Sequence, residues 1–148
     1  MNTATQLKND HDQIHELLDT WVKGFLAKDV ATVISTYAED IIAFDAIAQL
    51  QFKGREAYRK HWQACMAMCP GKPTYEVREQ HIDISGDLGL AHYLCYCGGT
   101  DANGQPQGCW MRVTQGFRKQ AGRWLIVHEH FSMPFDMESG KAIFDAQP

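Results

Sequence analysis

The stretch "GRWLIVHEHFSMPFD", residues 122–136, decides how the rest of the chain is read. Its alternation has the period of a β-strand, with Trp124, Ile126, His128, His130 and Ser132 in one row and Leu125, Val127, Glu129, Phe131 and Met133 in the other. Trp124 and Ile126 predict that the histidine row faces the core, so both imidazoles would point inward. The opposite row is more apolar still, which predicts a cover supplied by a second subunit.

Working upstream, residues 74–84, 88–100 and 108–119 are similar long runs rich in valine, isoleucine, tyrosine, phenylalanine and tryptophan. Ser85-Gly86-Asp87, Asn103-Gly104 and Ala121-Gly122 separate the runs and carry turn chemistry. Four antiparallel strands joined by hairpins follow. Gly98-Gly99 and Gly116 mark expected bulges or close packing.

The first half has a different period. Ile14, Leu17, Leu18, Trp21, Phe25 and Leu26 recur at the spacing of one helical face. Asp29 can cap a second helix with Val30, Val33, Ile34 and Tyr37 on its inner side, ended by Glu39-Asp40. "IIAFD" (41–45) and "QLQFK" (49–53) read as two brief strands. In "GREAYRKHWQACMAMCPG", Tyr58, Trp62, Cys65, Met66 and Cys69 form a third helical stripe before Pro70-Gly71 stops it. Helices first and a meander second give an α+β class: a curved antiparallel sheet wrapped over three N-terminal helices, with a conical space between them.

The chain of 148 residues fits one domain, residues 1–148, with no repeat or linker. Its 14 basic and 18 acidic residues give a formal charge of −4 with no basic run, which argues against nucleic acid as a partner. The first twenty residues are polar and no apolar run approaches the roughly 20 residues of a membrane span, so a cytoplasmic location without a membrane partner is expected. Five cysteines cannot all pair within one chain, and no C-x-x-C occurs. Free thiols are therefore expected.

Several residues carry candidate chemistry. His128 and His130 serve either as pocket acids and bases or as core histidines satisfied by one hydrogen bond each. With His81 and His92 on neighbouring strands a cluster is imaginable, but the spacing matches no zinc motif and no metal is expected. On the preceding strand Trp110, Arg112 and Thr114 alternate with Cys109, Met111 and Val113. Arg112 either serves a buried anion or pairs with Glu79, Asp83 or Glu129. Asp45 is either a general base with a raised pKa in an apolar pocket or a turn former.

The segments "WVKGFLAKDVATVISTYAEDIIAFD", "FKGREAYRKHW" and "GRWLIVHEHFSMPFD" together resemble the nuclear transport factor 2-like superfamily, most closely its SnoaL-like and ketosteroid-isomerase-like members. The tail is also similar to the association domain of calcium/calmodulin-dependent kinase. The resemblance covers nearly the whole chain. It implies a cystatin-like cone of bent sheet and three helices, an internal pocket and a homodimer. It also places Asp45 at the isomerase base, with Trp21 at the position of the isomerase tyrosine and the second oxyanion acid near Val113, so the usual oxyanion donors are not matched.

The expected function is therefore a pocket protein for a small apolar or acidic molecule, acting as an isomerase, cyclase or lyase by proton transfer next to a carbonyl. Asp45, His128 and His130 would carry the chemistry without a cofactor. Trp21, Tyr37, Trp62, Trp110, Arg112 and Ser132 would contact the ligand. The alternative is a non-catalytic ligand-binding or association module, because one fold hosts both kinds of protein.

Overall fold

A computed structural model describes residues 3–148, with side chains from Asn9 onward. The first helix, α1 (Thr3–Leu26), buries Ile14, Leu18, Trp21 and Phe25 along one stripe. Lys28 then adopts a left-handed turn, and the Asp29 side chain accepts from the backbone N–H of Thr32 to start α2 (Val30–Ile34).

Tyr37 does not continue this helix. The hydroxyls of Ser35 and Thr36 bond back to the carbonyls of Thr32 and Val33, using up acceptors at the helix end. The Thr36 carbonyl instead accepts from the N–H of Ile126, 2.9 Å away, and opens strand β1 (Tyr37–Phe44). Glu39 and Asp40 consequently lie within that strand, where a helix end was expected. "QLQFK" is mostly irregular, contributing only Phe52–Lys53 as strand β2. Helix α3 (Arg55–Ala67) follows, burying Tyr58, His61, Trp62 and Met66.

The long runs form β3 (Thr74–Ser85), β4 (Leu88–Thr100), β5 (Pro106–Gln120) and β6 (Arg123–Ser132). They pair antiparallel, as their hairpin turns require. β1 joins parallel to β6, giving one six-stranded sheet in the order β2-β1-β6-β5-β4-β3. The three helices pack over one face of it, and a single apolar cluster joins both layers.

Glycine lets the chain after α3 lie against the sheet. A Cβ on Gly71 would stand 1.7 Å from Thr100 Oγ1, and one on Gly99 would meet Cys69 Sγ at 2.8 Å. Close packing is thus the role at Gly99.

A bulge at Gly116 decides the site. Phe117 pairs with Ile126 and Gly116 with His128, leaving Val127 as an extra residue on β6. The alternation changes phase there. Trp124 and Ile126 face inward as expected, but beyond Val127 the inward residues are Glu129 and Phe131, both fully or almost fully buried. The expected inward row therefore holds only up to Ile126.

Candidate functional site

Between the helices and the sheet lies a cavity of about 540 Å³, within the usual range for small-ligand sites. Trp21 and Phe25 of α1, Trp62 and Met66 of α3, Met111 of β5 and Phe131 of β6 give it a mainly apolar wall. Asp45, immediately after β1, also lies on that wall.

Asp45 is held from both sides. Its Oδ1 accepts from the N–H of Ile47 at 3.0 Å, an Asx turn, so the turn-forming alternative describes one of its oxygens. Its Oδ2 lies 3.3 Å from His61 Nε2 and 3.4 Å from the Tyr58 hydroxyl. The side chains of His61 and Asp45 are only 5% and 8% exposed. Burial opposes a charge on His61, but the hydrogen bond and charge of Asp45, together with Cys65, outweigh it and lift the imidazole to about 9. At neutral pH His61 is therefore an imidazolium facing Asp45.

Behind the pair sits Glu129, wholly buried. Tyr58 and Tyr37 donate to its Oε2 at 2.7 and 2.8 Å, and Gln115 Nε2 donates to Oε1 at 2.6 Å. Trp21 Nε1 donates to the Tyr37 hydroxyl at 2.6 Å, and Tyr93 donates to Gln115 at 3.1 Å. Burial, which the three donors only partly offset and nearby Asp45 reinforces, leaves the Glu129 carboxyl raised to about 7. The Tyr58 hydroxyl thus lies between two carboxylates. Its single proton can satisfy only one of them, and the shorter contact favours Glu129.

His128 and His130 do not project into the cavity. The Val127 bulge turns both outward, where His128 donates from Nδ1 to the Ile42 carbonyl at 2.7 Å and His130 is exposed beside Phe44. Arg112 and Ser132 meet each other on the same outer face, with Arg112 Nε 3.1 Å from Ser132 Oγ. Arg112 is exposed there and away from Glu129, so the expected buried anion site is absent from that position. Trp110 is buried, but against Tyr96 and under the Arg78 guanidinium on the outer side. Trp21 and Trp62 line the cavity. Tyr37 lies behind the wall, where it orients Glu129.

Sequence reading missed Glu129, Tyr58, His61 and Gln115 as members of the site. One signal was available. Glu129 is the only charged residue in the row from Leu125 to Met133, and a carboxylate in such a row requires partners if it is buried. Trp62 adds another feature: among the described residues, its Nε1 is the buried side-chain nitrogen or oxygen without a hydrogen-bond partner.

The chain belongs to the SnoaL-like domain family, whose profile matches residues 14–136. An NTF2-like protein of unknown function from Pseudomonas putida is similar along almost its whole length: 44% identity, 95% of this chain and 98% of that one covered, TM-score 0.88. The association domain of C. elegans CaMKII shares the fold at 21% identity, covering 84% and 96% of the two chains with a TM-score of 0.68. An NTF2-like protein with a cystatin-like fold from Novosphingobium aromaticivorans shares it at 16% identity, 93% and 90% coverage and a TM-score of 0.75. No curated protein matches the chain. No helix among the described residues is long and apolar enough to cross a membrane.

Proposed function

We propose that the protein is a small-molecule pocket enzyme that moves a proton next to a carbonyl group, with Asp45 as the base. The observation that carries this reading is a buried carboxylate on an apolar cavity wall, fixed by His61 and Tyr58. Positioned general bases contribute roughly 10²–10⁴-fold to such reactions. The His61 imidazolium sits 3.3 Å from Asp45 Oδ2 and holds the side chain against the cavity wall. The Asx turn orients Oδ1 while His61 and Tyr58 orient Oδ2, and in this reading the carboxyl group so fixed takes the proton from a ligand's α-carbon.

The enolate oxygen requires a donor. Trp21 Nε1 is occupied by Tyr37, and Val113 has no polar side-chain atom. Trp62 supplies an N–H with no acceptor of its own, and in this reading a modest tilt of its ring brings that N–H to the ligand oxygen. The ligand is a small, largely apolar carbonyl compound. Lys28 on the wall, rather than Arg112, would attract an acidic group on it.

The protein also acts in this reading as a homodimer. Leu90, Leu94 and Tyr96 on the outer side of the sheet supply apolar area for a second copy. Incubation with a panel of cyclic ketones in deuterium oxide tests the enzyme directly: deuterium is expected to enter at the α-carbon of at least one. Binding without exchange would instead support the non-catalytic module.

A further inference from the structure

One thiol on the cavity wall differs in its surroundings from the others. Cys65 follows His61 by one helical turn on α3, so their side chains share a face. Its sulfur lies 3.6 Å from His61 Nε2 and 3.9 Å from Nδ1, while Asp45 Oδ2 holds the same ring at 3.3 Å. Phe52 stacks on the imidazole at 4.2 Å between ring centres and Tyr58 lies parallel to it, so the ring has little freedom to turn away. Cys65 is half-buried and lines the cavity.

The other cavity thiols lack this arrangement. Burial pushes the Cys97 thiol well up, and Cys95 and Cys109 beside it add to the rise. Cys69 donates to the Gly71 carbonyl, and Lys28 meets the Cys69 backbone carbonyl rather than its sulfur. A thiol becomes a nucleophile where a cationic neighbour stabilises its thiolate in a partly open site. Trp62, adjacent to His61 in sequence and 6% exposed on the same wall, carries a buried N–H with no partner, a donor that a ligand oxygen would satisfy once the ring tilts toward the cavity.

We propose that Cys65, His61 and Asp45 form a nucleophilic centre that adds covalently to soft carbon electrophiles entering the cavity, of the α,β-unsaturated carbonyl class. In the attacking form the thiol proton is carried by the adjacent His61 ring, and Asp45 accepts from the imidazolium. The thiolate attacks the β-carbon, forming an S–C bond. The C=C electron pair shifts toward the carbonyl oxygen to give an enolate, and the His61 proton is delivered to the α-carbon. The net change is addition of S–H across the double bond, with no oxidant or reductant. This chemistry does not require Asp45 to abstract a proton from carbon, so it stands or falls separately from the proposed function.

The titratable groups sharing the wall are Lys28 after α1, Asp45 after β1, Cys69 after α3, Cys97 on β4 and Asp101 in the β4–β5 turn; His61 and Tyr58 of α3 contact Asp45. His61 is the one of these that touches the Cys65 sulfur.

The test is site-resolved alkylation of the reduced full-length protein by N-ethylmaleimide, itself an α,β-unsaturated carbonyl compound, with peptide mass spectrometry across mildly acidic to mildly basic pH. Cys65 is expected to react at least about tenfold faster than Cys69, Cys97 and Cys109. Its rate should persist at about pH 6, where an ordinary thiol with a pKa near 8.5 is largely protonated. His61→Asn is expected to slow Cys65 at least about tenfold while leaving Cys109 unchanged. Equal rates at Cys65 and Cys69 in the unmodified protein, or an ordinary thiol pH profile at Cys65, would overturn the proposal whether or not the variant folds.

Discussion

His61 presents Nε2 to Asp45 Oδ2 at 3.3 Å, tying the middle of the third helix to the end of the first strand. Both side chains are more than nine-tenths buried, so the pair is an electrostatic anchor as well as a chemical one. Glu129 lies one hydroxyl away, through Tyr58. This layered arrangement sets the pH dependence of the fold.

Stability is expected to fall as pH rises from about 4.5 to 9. The folded protein holds a proton on Glu129 up to about 7, whereas the unfolded chain releases it near 4.5. Between those values the native state binds the extra proton, so the contribution is full below 4.5 and lost by 7, on the order of 3 kcal/mol. His61 acts in the same direction from 6.5 to about 9. Chemical denaturation across this range checks the slope. Glu129→Gln should flatten the portion below about 7, and a wild-type curve that rises between about pH 5 and 7 would contradict the assignment.

Tyr58→Phe removes the hydroxyl that donates to Glu129 Oε2. The buried carboxylate then loses one of its three donors, and a loss of about 1–3 kcal/mol is expected at about pH 8. The loss should shrink at about pH 5, where Glu129 is neutral. An equal loss at both pH values would show that Tyr58 acts by packing alone.

The outer sheet face gives a separate expectation. Analytical ultracentrifugation should return twice the chain mass of 16.8 kDa. A monomer at micromolar concentration would remove the homodimer from the proposed function.

The four long strands were legible because each is a long run rich in β-branched and aromatic residues bounded by turn chemistry. The helical stripes of α1 and α3 were equally plain. Tyr37 was misplaced because its spacing after Val33 and Ile34 suits a helix; the hydroxyl bonds of Ser35 and Thr36, and the distant N–H of Ile126, override that spacing. The histidines were misdirected by one residue. A bulge at Val127 depends on pairing with Gly116 on the neighbouring strand, and strand periodicity contains no record of it. Asp45 was singled out as the last residue of "IIAFD" and through the family resemblance. Its partners were missed because Tyr58 and His61 come from another element and meet it only in three dimensions.

The most direct test of Asp45 as the base is deuterium incorporation by wild type and Asp45→Asn, measured by NMR on a ketone that the wild-type protein exchanges. The variant keeps the side-chain shape, so its binding should survive while exchange falls by roughly 10²-fold or more. Exchange at the wild-type rate in the Asp45→Asn variant would contradict the account.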